Sequence, residues 1–159
     1  MTTDYKKVFL DTNVLIYQTF EDFDKEMHEE ACNTLKYLSE NEYTIYISSQ
    51  VLREFFAIAT NEKFFERPLS IEEAVSKRKE FENSFTVLYD SDSSISLLNE
   101  MVLKYQIKKQ DIHDANIVAT MVANNIKEIF SFNSKDFSDY DEVNLFEIPS
   151  EIDEPNGES

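Results

Sequence analysis

Glycine is almost missing from this chain: Gly157, in the closing run PSEIDEPNGES, is the only one in 159 residues. Turns in the body must therefore be made by residues that carry a Cβ. Asparagine is the next residue most tolerant of the left-handed conformation at a helix end, and Asn41, Asn61 and the pair Asn124-Asn125 stand where helices should stop. The same scarcity excludes a glycine-rich phosphate loop. Cysteine is equally rare. Cys32 alone cannot form an internal disulfide, which fits a reducing compartment, and a cytoplasmic location is expected. No uninterrupted apolar run approaches the ~18 residues that cross a bilayer, so no membrane association is expected. Nor is the start MTTDYKK followed by an apolar core of signal-peptide length. His28 and His113 are far apart and have no ligand-spaced companion, which argues against zinc. Basic residues are few as well: 15 against 32 acidic ones, a formal charge of -17, so the far field repels nucleic acid.

What is present is apolar and aromatic. A hydrophobic fraction of 42%, with 13 Phe and 8 Tyr, supports a packed core. Residues 7–10, 44–48 (TIYIS), 85–89 (FTVLY), 128–132 (EIFSF) and 143–148 (VNLFEI) are short and β-branched or aromatic, which predicts strands covered on both faces. Helical spacing relates Met27, Ala31, Leu35 and Leu38 within 24–38, and Ile95, Leu98, Met101, Val102 and Tyr105 within 92–105. Ser70-Ile71-Glu72-Glu73 reads as a capping box opening a further helix to about residue 83. Strands that alternate with helices predict a doubly wound α/β fold, with a central parallel sheet of four to five strands and helices on both faces. One domain is expected over residues 1–148, followed by an acidic, disordered tail over 149–159.

In open parallel sheets the site lies beyond the carboxyl ends of the strands. Asp11 follows the first strand. Ser48-Ser49 follow the second and cap a helix that carries Glu54. Asp111 and Asp114 fall in the first turn of a helix running to about residue 123, and Asn133 and Asp136 follow EIFSF. Each also has a purely structural account. Asp11 could cap the next helix, although Thr12 and Asn13 would serve equally well. Glu54 borders the apolar face of Val51, Leu52, Phe55 and Ile58 and could simply face solvent. Asp111 is placed as an N-cap with Asp114 as its reciprocal partner, yet Asp114 also aligns with Val118 and Met121. Asp136 could make an Asx-turn. His28 reads as a surface residue and Cys32 as a small packing residue. Taken together, carboxylates that converge without a basic partner repel one another unless a divalent cation balances them, and Mg²⁺ or Mn²⁺ suits an all-oxygen set.

These segments resemble the motifs of PIN-domain nucleases, and especially of the VapC-type toxin ribonucleases of toxin–antitoxin pairs. FLDTNVLIY is similar to the opening motif, its acid falling on Asp11. SSQVLREFF resembles the second, with Glu54, and QDIHDANIVATMVANN the third, with Asp114. SFNSKDF resembles the fourth, with Asp136 as the acid, Asn133 in the accompanying polar place and Ser131 where Thr is frequent. The likeness covers roughly residues 6–148. It implies a PIN-like fold and a cytoplasmic endoribonuclease that uses one or two Mg²⁺ or Mn²⁺ ions. Asp11, Glu54, Asp114 and Asp136 would hold the metal, Thr12 and Asn13 would orient Asp11, and Asp111 would be a further ligand or a cap. It also implies an RNA substrate, a cognate antitoxin whose basic tail lies over the acidic pocket, and a homodimer.

With a charge of -17, phosphate contacts can be only local. Arg53, Lys108, Lys109 and Lys135 lie near the motifs in sequence, and weak, strongly salt-dependent RNA binding through them is expected; Lys77-Arg78-Lys79 reads as a second patch or a solvated face. Tyr17, Phe20, Phe23, Phe55, Phe56, Phe64 and Phe65 supply apolar material for the core, a groove or a dimer interface. Two other functions compete. One is a catalytically weak PIN module acting as a protein-binding partner, to which the repulsive field would be no obstacle. The other is a phosphatase using Asp11 as nucleophile, weakened because position 13 is Asn where such enzymes place a second Asp.

Overall fold

Short apolar strands alternating with helices organise residues 6–150, which a computed structural model describes. Strand β1 (Lys7–Leu10) leads into α1 (Thr12–Thr19) and α2 (Lys25–Glu40). Strand β2 (Thr44–Ser48) leads into α3 (Ser49–Ala59) and α4 (Ile71–Ser84), and β3 (Thr86–Leu88) into α5 (Asp92–Tyr105) and α6 (Asp111–Ala123). Strand β4 (Glu128–Phe130) is followed by a 3₁₀ turn at Ser134–Asp136 and by β5 (Asn144–Leu145). All pairings are parallel, in the order β3-β2-β1-β4-β5. The expected doubly wound α/β fold is therefore present, and its parallel sheet has five strands, within the four to five expected. The tail expected over 149–159 lies, beyond Ser150, outside the described residues, as does Gly157.

Direction reverses at β1: β2 and β3 are added on one side, β4 and β5 on the other. Helices α1 to α4 pack among themselves, and α5 packs on α6. Right-handed crossovers put these two groups on opposite faces. Val8, Phe9 and Leu10 are fully buried, as expected for the middle strand of such a sandwich, with Phe55, Ile117 and Met121 among the largest buried side chains around them. The edge strands are less covered than their apolar sequences suggest. Thr86 and Asn144 are exposed, and Tyr89, expected inside a strand, lies beyond β3 and is 67% exposed.

The turns are made without glycine, though not by asparagine in general. Left-handed backbone occurs at Glu42, Gln106, Lys109 and Asn125, with φ between 54° and 61°. Asn41 and Asn124 keep negative φ and instead turn their side-chain amides back onto the carbonyls of Tyr37 and Thr120, at 2.8 Å each. Asn61 accepts from the Lys63 amide. The capping box at Ser70 and Glu73 forms as read from the sequence, with both reciprocal bonds at 3.1 Å. Asp111 is not an N-cap: the left-handed Lys109 turns the chain one residue early, Gln110 takes the cap position, and Asp111 is the first residue of α6.

Candidate active site

The reversal of strand order opens a crevice between the carboxyl ends of β1 and β4, where open α/β sheets place their ligands. Asp11 ends β1 and is the N-cap of α1, a role the sequence offered equally to its neighbours. One carboxylate oxygen accepts the Thr12 amide at 2.8 Å. The other accepts Ser131 Oγ at 2.7 Å and Asn13 Nδ2 at 3.2 Å. Ser131 follows β4, so this one carboxylate joins the two strands across the crevice. Asn13 strengthens the joint by accepting the Phe132 amide at 3.1 Å. Asp11 is only 7% exposed, and burial raises its pKa, opposed by the Ser131 and Thr12 hydrogen bonds and reinforced by the charges of Glu54 and Asp136.

Glu54 reaches the same crevice from α3, whose start is fixed by the Ser48 cap. Thr12 Oγ1 donates to one of its oxygens at 2.8 Å and Gln50 Nε2 to the other at 3.0 Å. Neither Gln50 nor Asn116 is singled out by the sequence. The Gln50 amide also donates to the His113 carbonyl at 2.9 Å, its oxygen accepts Asn116 Nδ2 at 2.7 Å, and Asn116 donates on to Asp90 at 3.2 Å. The chain Asp90–Asn116–Gln50–Glu54–Thr12 ties α6 to α3 and α1. The only signal in the sequence was the four-residue spacing of Gln50 and Glu54, which puts both on one face of a helix.

Asp114 stands one turn into α6, half-buried. Its pKa is pushed up to about 7, first by burial and then by the charges of Asp136, Asp11, Glu54 and Asp111 in that order. Among the described residues no cation offsets this crowding at the carboxylates. Asp11, Glu54, Asp114 and Asp136 line one cleft of about 420 Å³ together with Thr12, Asn13 and Asn133, and its lining contains no lysine or arginine. Asp111 lies in an adjoining cavity that shares Asp114 and Asp136 and includes Lys135. Arg53, Lys108 and Lys109 are exposed and line neither. His28 is half-buried, not superficial, its Nδ1 2.9 Å from the Tyr17 carbonyl and Cys32 beside its ring.

The donor set consists of carboxylate, hydroxyl and amide oxygens, the choice of a hard divalent ion. Among the described residues no group of three or more His, Cys, Asp or Glu side chains is arranged to hold an ion by itself. An ion taken up here would therefore keep much of its water shell, which is the habit of Mg²⁺. Asp11, Glu54, Asp114 and Asp136 would hold such an ion, and their oxygen chemistry fits one.

The sequence matches the PIN domain family over residues 8–143. No curated protein matches it in sequence. Among solved structures, the VapBC2 complex of Rickettsia felis, bound to a fragment of its promoter DNA, is 23% identical with a TM-score of 0.65, over 88% of this chain and 97% of that one. A toxin–antitoxin complex of Klebsiella pneumoniae is 21% identical with a TM-score of 0.58, over 89% and 99%. VapC20 of Mycobacterium tuberculosis, a toxin that cleaves the sarcin–ricin loop, is 17% identical with a TM-score of 0.60, over 81% and 92%. At these identities the likeness establishes a shared fold.

Proposed function

The chain belongs to the PIN domain family, and from that premise we propose that it is a Mg²⁺- or Mn²⁺-dependent endoribonuclease, the toxin of a toxin–antitoxin pair. The observation that carries this reading is the convergence of Asp11, Glu54, Asp114 and Asp136 on one cleft without a basic residue in its lining. Four acids gathered so would repel one another to no purpose if the cleft bound only protein. In this reading the four carboxylates hold the ion or ions. Such an ion supplies Lewis acidity toward a phosphoryl oxygen and a bound water of lowered pKa. The chain's own contribution is orientation. Ser131, Asn13 and the Thr12 amide fix Asp11, while Thr12 and Gln50 hold one Glu54 oxygen each, so that the remaining lone pairs are set before substrate arrives.

An antitoxin partner is proposed from the fold neighbours, one of which is a toxin–antitoxin complex, and from the charge of -17, which attracts a basic tail. A homodimer and a cytoplasmic location belong to the same reading; no described helix is long and apolar enough to cross a membrane. The test is incubation of the purified chain with tRNA and rRNA fragments in Mg²⁺ or Mn²⁺, with EDTA and Asp11→Asn as controls. Cleavage that both controls abolish is the expected result, and cleavage indifferent to both rules out this cleft. If neither wild type nor Asp11→Asn cuts any RNA, the protein-binding PIN module becomes the better reading.

A further inference from the structure

A second cavity, of about 560 Å³, is walled by α2 and by the chain that follows β5, and it shares no lining residue with the carboxylate cleft. Its walls are acidic. Glu26, Glu29 and Glu30 come from α2 and Glu147 from beyond β5, all four exposed, and no lysine, arginine or histidine lines the cavity. None of the four takes part in an ion pair among the described residues. The floor is apolar. Phe130 and Phe146 are buried beneath the cavity, Phe146 braced by the Tyr43 ring at 5.6 Å, and Ile148 beside them is 42% exposed.

Acidic side chains alone specify no ligand, but Thr34 adds a polar group that the fold leaves unused. It lines the same cavity and is only 4% exposed. A threonine inside a helix ordinarily returns its hydroxyl to the carbonyl four residues back, as Thr19, Thr60 and Thr120 do here. The Thr34 hydroxyl makes no hydrogen bond among the described residues. The one fully enclosed side-chain atom without a partner among those residues is Arg78 Nε, so Thr34 Oγ1 is open to the cavity. A buried hydroxyl without a partner is costly unless something else satisfies it.

The lining sets the chemistry of that partner. Its side chains offer mainly acceptors, which calls for a ligand that donates several hydrogen bonds, accepts none and carries positive charge at more than one place. A hydrated divalent ion meets the acids but gains nothing from the apolar floor. A peptide backbone brings carbonyls that this lining cannot satisfy. An alkylammonium has donors only, and its methylenes can cover apolar surface while its charge stays at the rim. Glu26 and Glu30 are four residues apart on α2, about 6 Å along the helix axis. A four-carbon spacer sets a similar distance between two ammonium groups. We propose that this cavity binds a linear aliphatic polyamine. Two ammonium groups lie at Glu26 and Glu30 and a third at Glu147, one N–H is given to the Thr34 hydroxyl, and the methylenes cover Phe130, Phe146 and Ile148. The site is separate from the proposed nuclease chemistry, because none of its acids belongs to the carboxylate cleft.

The test is calorimetric titration of the full chain with spermidine at about 0.15 M salt, where charges more than about 8 Å away are screened. One molecule should bind per chain, and butylamine, with a single ammonium, should bind about tenfold more weakly. Thr34→Val removes the hydroxyl and keeps the shape. It should weaken spermidine binding by about tenfold, the scale of one hydrogen bond to a charged group, while the melting temperature holds or rises because the hydroxyl has no partner in the fold. Thr34→Ser should keep the affinity. The triple variant Glu26→Gln/Glu30→Gln/Glu147→Gln should bind about thirtyfold more weakly, at about threefold per exposed ion pair. Glu62→Gln/Glu82→Gln/Glu100→Gln, which removes the same charge elsewhere on the surface, should leave binding unchanged. Absence of spermidine binding, equal weakening by the two triple variants, or unchanged binding by Thr34→Val overturns the proposal. Complete displacement of spermidine by an equal concentration of Mg²⁺ would mark a site for a hydrated ion, and tighter binding of an arginine-rich peptide that the Glu26, Glu30 and Glu147 variant abolishes would mark a protein-docking groove; either result overturns it too. RNA cleavage is measured alongside, and since every variant keeps the four cleft acids, failure of the polyamine site leaves the nuclease reading standing.

Discussion

Glu54 shows how much of the candidate site rests on residues that bear no charge. Both its oxygens are engaged, by Thr12 and by Gln50, and Gln50 is itself buried and held by Asn116. Gln50→Ala should therefore lower metal affinity or cleavage by about 10–100-fold, the usual cost of losing an outer-shell partner, measured by calorimetric Mn²⁺ titration and initial rates. The same substitution leaves Asn116 and Glu54 short of a partner, and chemical denaturation should show a loss of about 1–3 kcal/mol. At this scale the sequence was legible where a residue's role follows from its local position. Asp11, Glu54, Asp114 and Asp136 each sit just after a strand or in the first turns of a helix, and they share one cleft. The Asp90–Asn116–Gln50 chain was not legible, because its links join residues 26 and 66 positions apart and depend on how helices pack. Asp111 was misplaced for a local reason, the left-handed Lys109 just before it.

Helix ends carry the second level of organisation. Helices α3, α4 and α5 start at serine caps whose side chains accept the backbone amide three residues on, of which Ser48 and Ser70 were legible in the sequence and Ser91 was not singled out. Ser70→Ala should cost about 1 kcal/mol, read as a fall in denaturant midpoint. The Glu73 side of that box has a pH signature. Hydrogen bonds from the Ser70 amide and hydroxyl side of the box hold its pKa below the ordinary value, so its stabilising contribution is complete above the usual glutamate range and fades as pH falls through the lowered value. Glu73→Gln should weaken the acid sensitivity of the melting temperature between about pH 5 and pH 3. The C-terminal ends were harder to read. Gln106, in left-handed backbone at the end of α5, occupies a conformation that costs a residue with a Cβ about 1 kcal/mol. Gln106→Gly should consequently stabilise the protein by about 0.5 kcal/mol or leave it unchanged, where an interior helical glycine would destabilise it. Strand positions were legible as apolar runs, and β1 and β2 have the lengths read from the sequence; β3 and β4 are shorter, and β5 keeps only two residues.

For the whole molecule the dominant fact is negative charge, and four of the acids line one cleft. Asp114 binds a proton in the folded state up to about pH 7, and in the unfolded chain only up to the ordinary aspartate range. A raised folded pKa means that its favourable contribution is present below the unfolded value and is lost as pH rises through about 7. In EDTA the melting temperature should therefore rise when pH is lowered from about 8 to about 6, and Asp114→Asn should flatten that dependence. Mn²⁺ should stabilise wild type more at the higher pH, by about 2.7 kcal/mol at a hundredfold excess over its Kd. The sequence disclosed the charge but not its distribution, since only the fold brings residues 11, 54, 114 and 136 to one crevice. The joint between Asp11 and Ser131 adds a consequence in time. A ribosome makes Asp11 well before its partners: the Ser131 hydroxyl that binds it and the fourth acid that faces it come 120 and 125 positions later. A nascent chain halted between residues 114 and 131 has three of the four carboxylates, with Asp11 held by Thr12 and Asn13 alone, so a fragment released there carries no finished cleft.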